Sequence, residues 1–221
     1  MGEATWAPAP TVPTIAETQK IVAGYVLMPR RTEALETALY AIREAIDKLN
    51  TMREWNWSLV SEDLPLDAAL VDYPVPSNFK KAARLLVVDA NDLSVFRIPY
   101  YPWVDFLDKY AKQDTSGDPC AYSCANAKEF GTVSLDVIPS VSFVSQYPTL
   151  RLWYYRAVQY EAENGAADWP SYATPLIVAW AKKVMAETYA PGKVLTAAAN
   201  YREARQDLET YDNEIMPDWG D

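Results

Sequence analysis

Carboxylates are the only side chains here numerous enough to carry acid–base chemistry: 221 residues hold 30 Asp and Glu and no histidine. The missing imidazole removes Ser-His-Asp and Cys-His nucleophile systems, histidine acid–base catalysis and every histidine metal site. The closest local acids are Glu62-Asp63, Asp89 with Asp92, and Glu161 with Glu163. A glycosidase needs two carboxyl groups about 5 to 10 Å apart across a cleft, a condition of geometry and not of sequence proximity. With acids so frequent, such pairs arise by chance, and solvated surface is expected for all three. Asp89-Ala-Asn-Asp92 resembles an oxygen-ligand loop for calcium, but that pattern's central glycine and closing glutamate are missing. A turn between strands is expected there.

The other reactive groups are sparse. Cys120 and Cys124 are the only cysteines, too few for a disulfide framework or a thiolate zinc site. In a strand, residues four apart lie on one face roughly 13 Å apart, beyond disulfide reach. No phosphate-cradling glycine loop is present among seven glycines, so nucleotide-driven chemistry has no support and no cofactor is expected. The basic pairs Arg30-Arg31, Lys80-Lys81 and Lys182-Lys183 are read as surface ion-pairing groups, because 20 Lys and Arg against 30 acids give a net charge of -10. That balance opposes general binding to nucleic acid or to an anionic membrane.

Half the residues are apolar and 13% are aromatic, the composition of a folded chain. The length suits one domain or two closely joined ones. No basic-then-apolar leader opens the sequence and no apolar run approaches the ~18 to 20 residues that span a bilayer, so a soluble protein is expected. Residues 1–13 carry Pro8, Pro10 and Pro13 and read as an extended arm. Thr14 with Glu17 has capping-box spacing and opens a short helix to about Val26. From Thr32 to about Arg53, Leu35, Leu39, Ile42, Ile46 and Leu49 mark one face of an amphipathic helix.

Past Asn50 the texture changes to alternation at Trp55, Trp57 and Leu59, with β-branched runs at Leu85–Val88, Val95–Ile98, Ala121–Ala125, Thr132–Ile138 and Leu150–Tyr155. A helix is expected from Pro102 to Lys112, with proline at its first position. Ser171 or Thr174 can cap a helix carrying Leu176, Ile177, Trp180, Val184 and Tyr189, and Pro191-Gly192 breaks the chain before a last helix from Lys193. On that helix Leu195, Ala198, Tyr201, Arg205, Leu208 and Tyr211 form an interrupted apolar stripe. The expected fold class is α+β: a helical bundle of residues 14–54 and 165–212, a β-rich insertion at 55–164, and an extended tail at 213–221.

Eight Trp and fifteen Tyr serve either as sugar-stacking platforms or as core and protein-interface anchors. Trp180 with Val184 is expected in the core. Trp6 and Trp219 sit in proline-containing ends with little chance of self-burial, which invites a partner.

The order of features resembles the head-to-tail adaptor family of short-tailed bacteriophages, the tail tubular protein A group. The amphipathic helix runs into Trp55-Asn-Trp57. Tyr73-Pro-Val-Pro76-Ser-Asn-Phe79-Lys80 is similar to the family's Tyr-x-Leu-Pro-x-Asp-Phe-Lys, with Val75 and Asn78 as conservative departures. Gly117-Asp-Pro119 with Tyr122, Leu135-Asp-Val-Ile-Pro139, Leu150-Arg-Leu-Trp-Tyr154-Tyr155-Arg156 and Trp169-Pro170-Ser-Tyr172 follow in the family's order. The Pro-rich first thirteen residues have no family counterpart.

The resemblance implies a non-enzymatic virion protein, made in the host cytoplasm, that assembles as a homododecamer at the head–tail junction. Its partners would be the portal protein on one side and a tail nozzle of the tail tubular protein B type, or a tail fibre protein, on the other. Double-stranded DNA would pass through without specific binding. Twelve chains would carry roughly -120 charges, an acidic wall to which phosphate does not stick. In such adaptors the C-terminal segment engages the portal, and Ile215, Met216, Pro217 and Trp219 are the apolar residues available here. A connector from a long-tailed phage would have similar duties. The reading from another class is a carbohydrate-binding or lytic cell-wall protein, which would need solvent-facing aromatics in a concave site.

Overall fold

The computed structural model describes residues 13–26, 28, 31–110, 114–125, 131–159 and 169–214. The fold is α+β, with helices towards both ends of the described chain and sheets between them. Contacts divide it into two units, a helical one of residues 1–57 with 158–216 and a β-rich one built on residues 58–157.

The helical unit begins with α1 (Ile15–Tyr25), whose capping box is complete: Thr14 Oγ1 accepts from the Glu17 backbone N–H and Glu17 accepts from the Thr14 N–H. Helix α2 (Thr32–Met52) follows. It is the expected amphipathic helix, but its buried face is centred on alanine: Ala34, Ala38, Ala41 and Ala45 are buried beside Ile42, Ile46 and Leu49, whereas Leu35 and Leu39 are half-buried. The small residues let α5 (Thr174–Tyr189) lie close against it. Helix α6 (Val194–Glu214) then packs on α5.

Several boundaries differ from expectation. Trp55 and Trp57 belong to the helical unit and not to the sheet region, because Trp55 folds back over α2, 2% exposed, and donates its indole N–H to the Leu49 carbonyl at 2.8 Å. Neither Ser171 nor Thr174 caps α5. Ser171–Ala173 forms a 3-10 turn ahead of it, and Thr174 Oγ1 accepts instead from the buried Trp169 indole at 3.0 Å. The inward face of α6 runs through Ala197, Tyr201, Ala204, Leu208 and Asp212, so Leu195 is left 86% exposed, one position off the stripe. Helix α6 also takes in Asn213 and Glu214, expected in the tail. The returning chain is pinned at Asn50, whose side chain donates to the Val158 carbonyl and accepts the Val158 N–H.

The β unit holds two antiparallel sheets and a short parallel pair. In chain order the strands are β1 (Leu59–Pro65), β2 (Asp72–Pro74), β3 (Phe79–Val88), β4 (Ser94–Ile98), β5 (Ser116–Gly117), β6 (Tyr122–Ala125), β7 (Thr132–Leu135), β8 (Ile138–Pro139) and β9 (Thr149–Arg156). The larger sheet has the order β1-β9-β3-β4, the second β2-β7-β6, and β5 pairs with β8. Leu85, Val87, Ile98, Tyr122, Leu135, Leu150 and Leu152 fill its core. The first short helix, α3 (Trp103–Lys109), is shorter than the expected 102–112, with Pro102 just outside it; Tyr110 closes it, and residues 111–113 lie outside the described set. A second, α4 (Val141–Gln146), was not apparent from its strand-like Val-Ser-Phe-Val text. It forms because Ser140 Oγ accepts the Phe143 N–H as a cap.

Candidate functional site

The structure brings two of the three candidate acid groups together, but as structural partners. Asp63 on β1 accepts from Arg151 Nε and Nη2 on β9, and Asp92 meets the same guanidinium. Both acids are exposed, and one cation shared by two carboxylates lacks the contrast of environments that separates a general acid from a base. Asp89 accepts the backbone N–H groups of Leu93 and Asn91, and the bond from Leu93 most strongly holds its carboxyl below the usual value. The turn expected between strands is therefore present, with Asp92 at φ 65° in the left-handed region that aspartate tolerates. Glu161 and Glu163 lie outside the described residues. Among the described residues no three His, Cys, Asp or Glu side chains converge as metal ligands.

Sequence patterning gave no sign of Asp136. Its side chain is 3% exposed and accepts the N–H groups of Cys120 and Ala121 at 2.9 and 3.0 Å, together with the Cys120 thiol. That bond to a carboxylate, reinforced by burial, pushes the thiol of Cys120 up, away from the thiolate a nucleophile requires. Cys124 is pushed up to about 12 by burial, and both cysteines are free. Nearby, Lys109 Nζ donates to Tyr101 Oη at 3.1 Å and sits over the rings of Tyr101 and Tyr110. The ammonium lowers the Tyr101 hydroxyl and is itself raised, an exposed pairing that solvent screens.

Several large apolar side chains of the β unit are exposed. Leu93, Val95, Phe96 and Tyr100 are exposed on and around β4, as are Val104 and Leu107 on α3 and Val141 on α4. Of β4 itself only Ile98 is buried. Phe96 is held edge-on by Phe143 and Tyr147, which with Cys120 and Asp118 line a groove of about 370 Å³. A second cleft of about 300 Å³ gathers Lys80, Lys81 and Arg97 around Phe79, Tyr100 and Cys124, with no carboxylate among its lining residues. Lys80-Lys81 thus joins a third cation. Lys183 instead pairs with Glu187 at 2.9 Å, and Lys182 lies over the Tyr25 ring.

In the helical unit the exceptional group is Asp212, fully buried on the last turn of α6. Its carboxylate lies 3.4 Å from the Arg53 guanidinium and 3.4 Å from the Trp57 N–H, while Asn56 donates to its backbone carbonyl. Burial raises its pKa, outweighing the backbone N–H groups of Trp57 and Asn56 and the Arg53 charge, which lower it. Trp180, expected in the core, is half-buried against Tyr201. Trp6, Ile215, Met216, Pro217 and Trp219 lie outside the described residues.

Comparison of the chain with models of known protein families and with curated proteins finds no match.

Proposed function

We propose that this chain is a structural, non-enzymatic subunit of a bacteriophage virion, a ring-forming adaptor that joins the portal to the tail nozzle and lines the channel through which DNA is ejected. The observation that carries the reading is the layout of the chain: α1 and α2 close with α5 and α6 into one helical unit, and the β unit is inserted between them. This is the architecture that the ordered sequence resemblance implies. The net charge of -10 suits a wall that DNA passes without sticking. The exposed apolar side chains of β4, α3 and α4 suit a protein whose work is contact with other proteins.

In this role the chain assembles with copies of itself, twelve in the family it resembles. It contacts the portal protein through Ile215, Met216, Pro217 and Trp219, and a tail nozzle or tail fibre protein through the β unit. The test is co-sedimentation with the purified portal ring of the same virion, followed by electron microscopy. A collar on the portal is expected, and loss of attachment is expected when residues 215–221 are removed. The cut falls after Glu214 because Asp212 and Asn213 hold the 53–57 segment. An intact portal that recruits no full-length chain would overturn the reading.

A further inference from the structure

Among the described residues no strand pairs with the outer edge of β1 or with that of β4 over Ser94–Ile98, although just past Ile98 the chain at Pro99 and Tyr101 is bonded to Tyr122 of β6; the two edges differ. The β1 edge presents exposed Ser61, Glu62 and Asp63; the β4 edge presents exposed Ser94, Val95, Phe96 and Arg97. Unpaired strand edges are templates for another strand, and β4 lacks the proline and acidic charge that blunt β1. The paired residues form rows across the sheet. One reads Asp63, Arg151, Leu86, Arg97, and the next reads Leu64, Leu150, Val87, Phe96. The first row carries the carboxylate of Asp63 at its β1 end, where Arg151 of β9 pairs with it, and the cation Arg97 at its β4 end. The second row is apolar from end to end.

From these rows we infer that β4 of one chain pairs with β1 of a second copy of this chain, extending the sheet head to tail through the assembly. The inference rests on the ring reading and names the contact between its neighbours. Because the sheet holds four antiparallel strands, β1 and β4 run in opposite directions, so the added β1 is antiparallel to β4 and the alternation continues unbroken. Setting Arg97 opposite the neighbour's Asp63 places Phe96 opposite its Leu64, joining like rows to like. The bulge between Val87 and Val88 falls at Val95 and leaves Phe96–Ile98 as the pairing segment. Symmetric pairing of two β4 edges would instead bring two Arg97 side chains towards each other, and it would close a dimer. A head-to-tail contact uses two different surfaces and generates a ring when the rotation between neighbours closes. So short a segment binds weakly until ring closure makes the contacts mutually reinforcing.

The test is disulfide trapping, which accumulates even transient encounters. Arg97→Cys and Asp63→Cys are combined in a chain carrying Cys120→Ser and Cys124→Ser, with each new cysteine alone as a control. Directly opposite residues in an antiparallel pair come within disulfide reach. The expected result under oxidation is a ladder of multimers extending past the dimer for the double variant, with each single variant remaining mostly monomeric. Efficient dimerisation of Arg97→Cys alone would show symmetric pairing and overturn the inference. Absence of a ladder, with both variants folded by circular dichroism, would overturn it as well. The ring reading is judged separately by portal co-sedimentation of the unsubstituted chain, so the sheet-edge contact can fail while the ring stands. As a second measurement, Arg97→Glu should reduce the average mass seen by light scattering at high protein concentration, and mixing it with an Asp63→Arg chain should restore it.

Discussion

The two units differ in how far their interiors use alanine. The helical unit buries Ala34, Ala38, Ala41 and Ala45 of α2 beside larger residues, whereas the β unit fills its core with Leu85, Val87, Ile98, Leu135, Leu150 and Leu152 and uses no alanine in its main cluster apart from half-buried Ala82. Helices approach most closely where side chains are short, while a sheet needs long side chains to reach its covering layer, about 10 Å away. Their buried acids differ as well. Asp136 in the β unit accepts two short backbone N–H bonds and a thiol; Asp212 in the helical unit faces Arg53 and the Trp57 N–H, both at 3.4 Å, with the Asn56 backbone N–H as a further donor. Equal burial therefore does not mean equal accommodation. The closeness of the donors decides it.

The largest expected effect is on the β core: Leu152→Ala removes a fully buried side chain from a central strand and should cost about 2 to 5 kcal/mol in denaturant unfolding. The complementary change is Ala41→Leu, which overfills the α2 contact and should cost about 1 to 3 kcal/mol. If Ala41→Leu proved neutral, the contrast between the two cores would fail. Asp136→Ala leaves the N–H groups of Cys120 and Ala121 without their acceptor and should cost about 1 to 3 kcal/mol.

Asp212 sharpens the comparison through pH. Its native pKa is raised above the unfolded value, so the folded chain binds the proton more tightly. Stability from this group is therefore greatest in acid and falls as pH rises from the ordinary aspartate range through the raised native value. Asp212→Asn should flatten that part of the profile, measured as urea midpoints across the acidic range; an unchanged slope would place the titration elsewhere. The smallest effect belongs to Lys183→Ala, which removes a partly exposed i,i+4 pair with Glu187 and should change stability by about 0.5 kcal/mol or less.

Helical period and the Thr14 capping box were legible in the sequence; the starts of α4 and α5, and what faces what, were not. Helix α2 announced itself through Leu35, Leu39, Ile42, Ile46 and Leu49, of which the last three are buried, yet four alanines share the buried face, because an alanine's modest hydrophobicity hides how close it lets a neighbour come. Trp55 read as strand because alternation with Trp57 and Leu59 imitates period two, while the indole bond to Leu49 that folds it onto α2 is a tertiary event. The acid candidates illustrate the same limit. Asp63 and Asp92 meet only through Arg151, far along the chain, and Asp136 and Asp212 gain their character from donors that no local spacing announces.

The discontinuity of the helical unit has a consequence for synthesis. Helix α2 leaves the ribosome long before its main partner α5, and at ~5 to 20 residues per second the delay is on the order of ten seconds. During that interval the inserted β unit emerges whole and is free to fold, while the alanine face of α2 waits uncovered. The nascent chain thus matures from the middle outward, and its first helices are among the last to find their place.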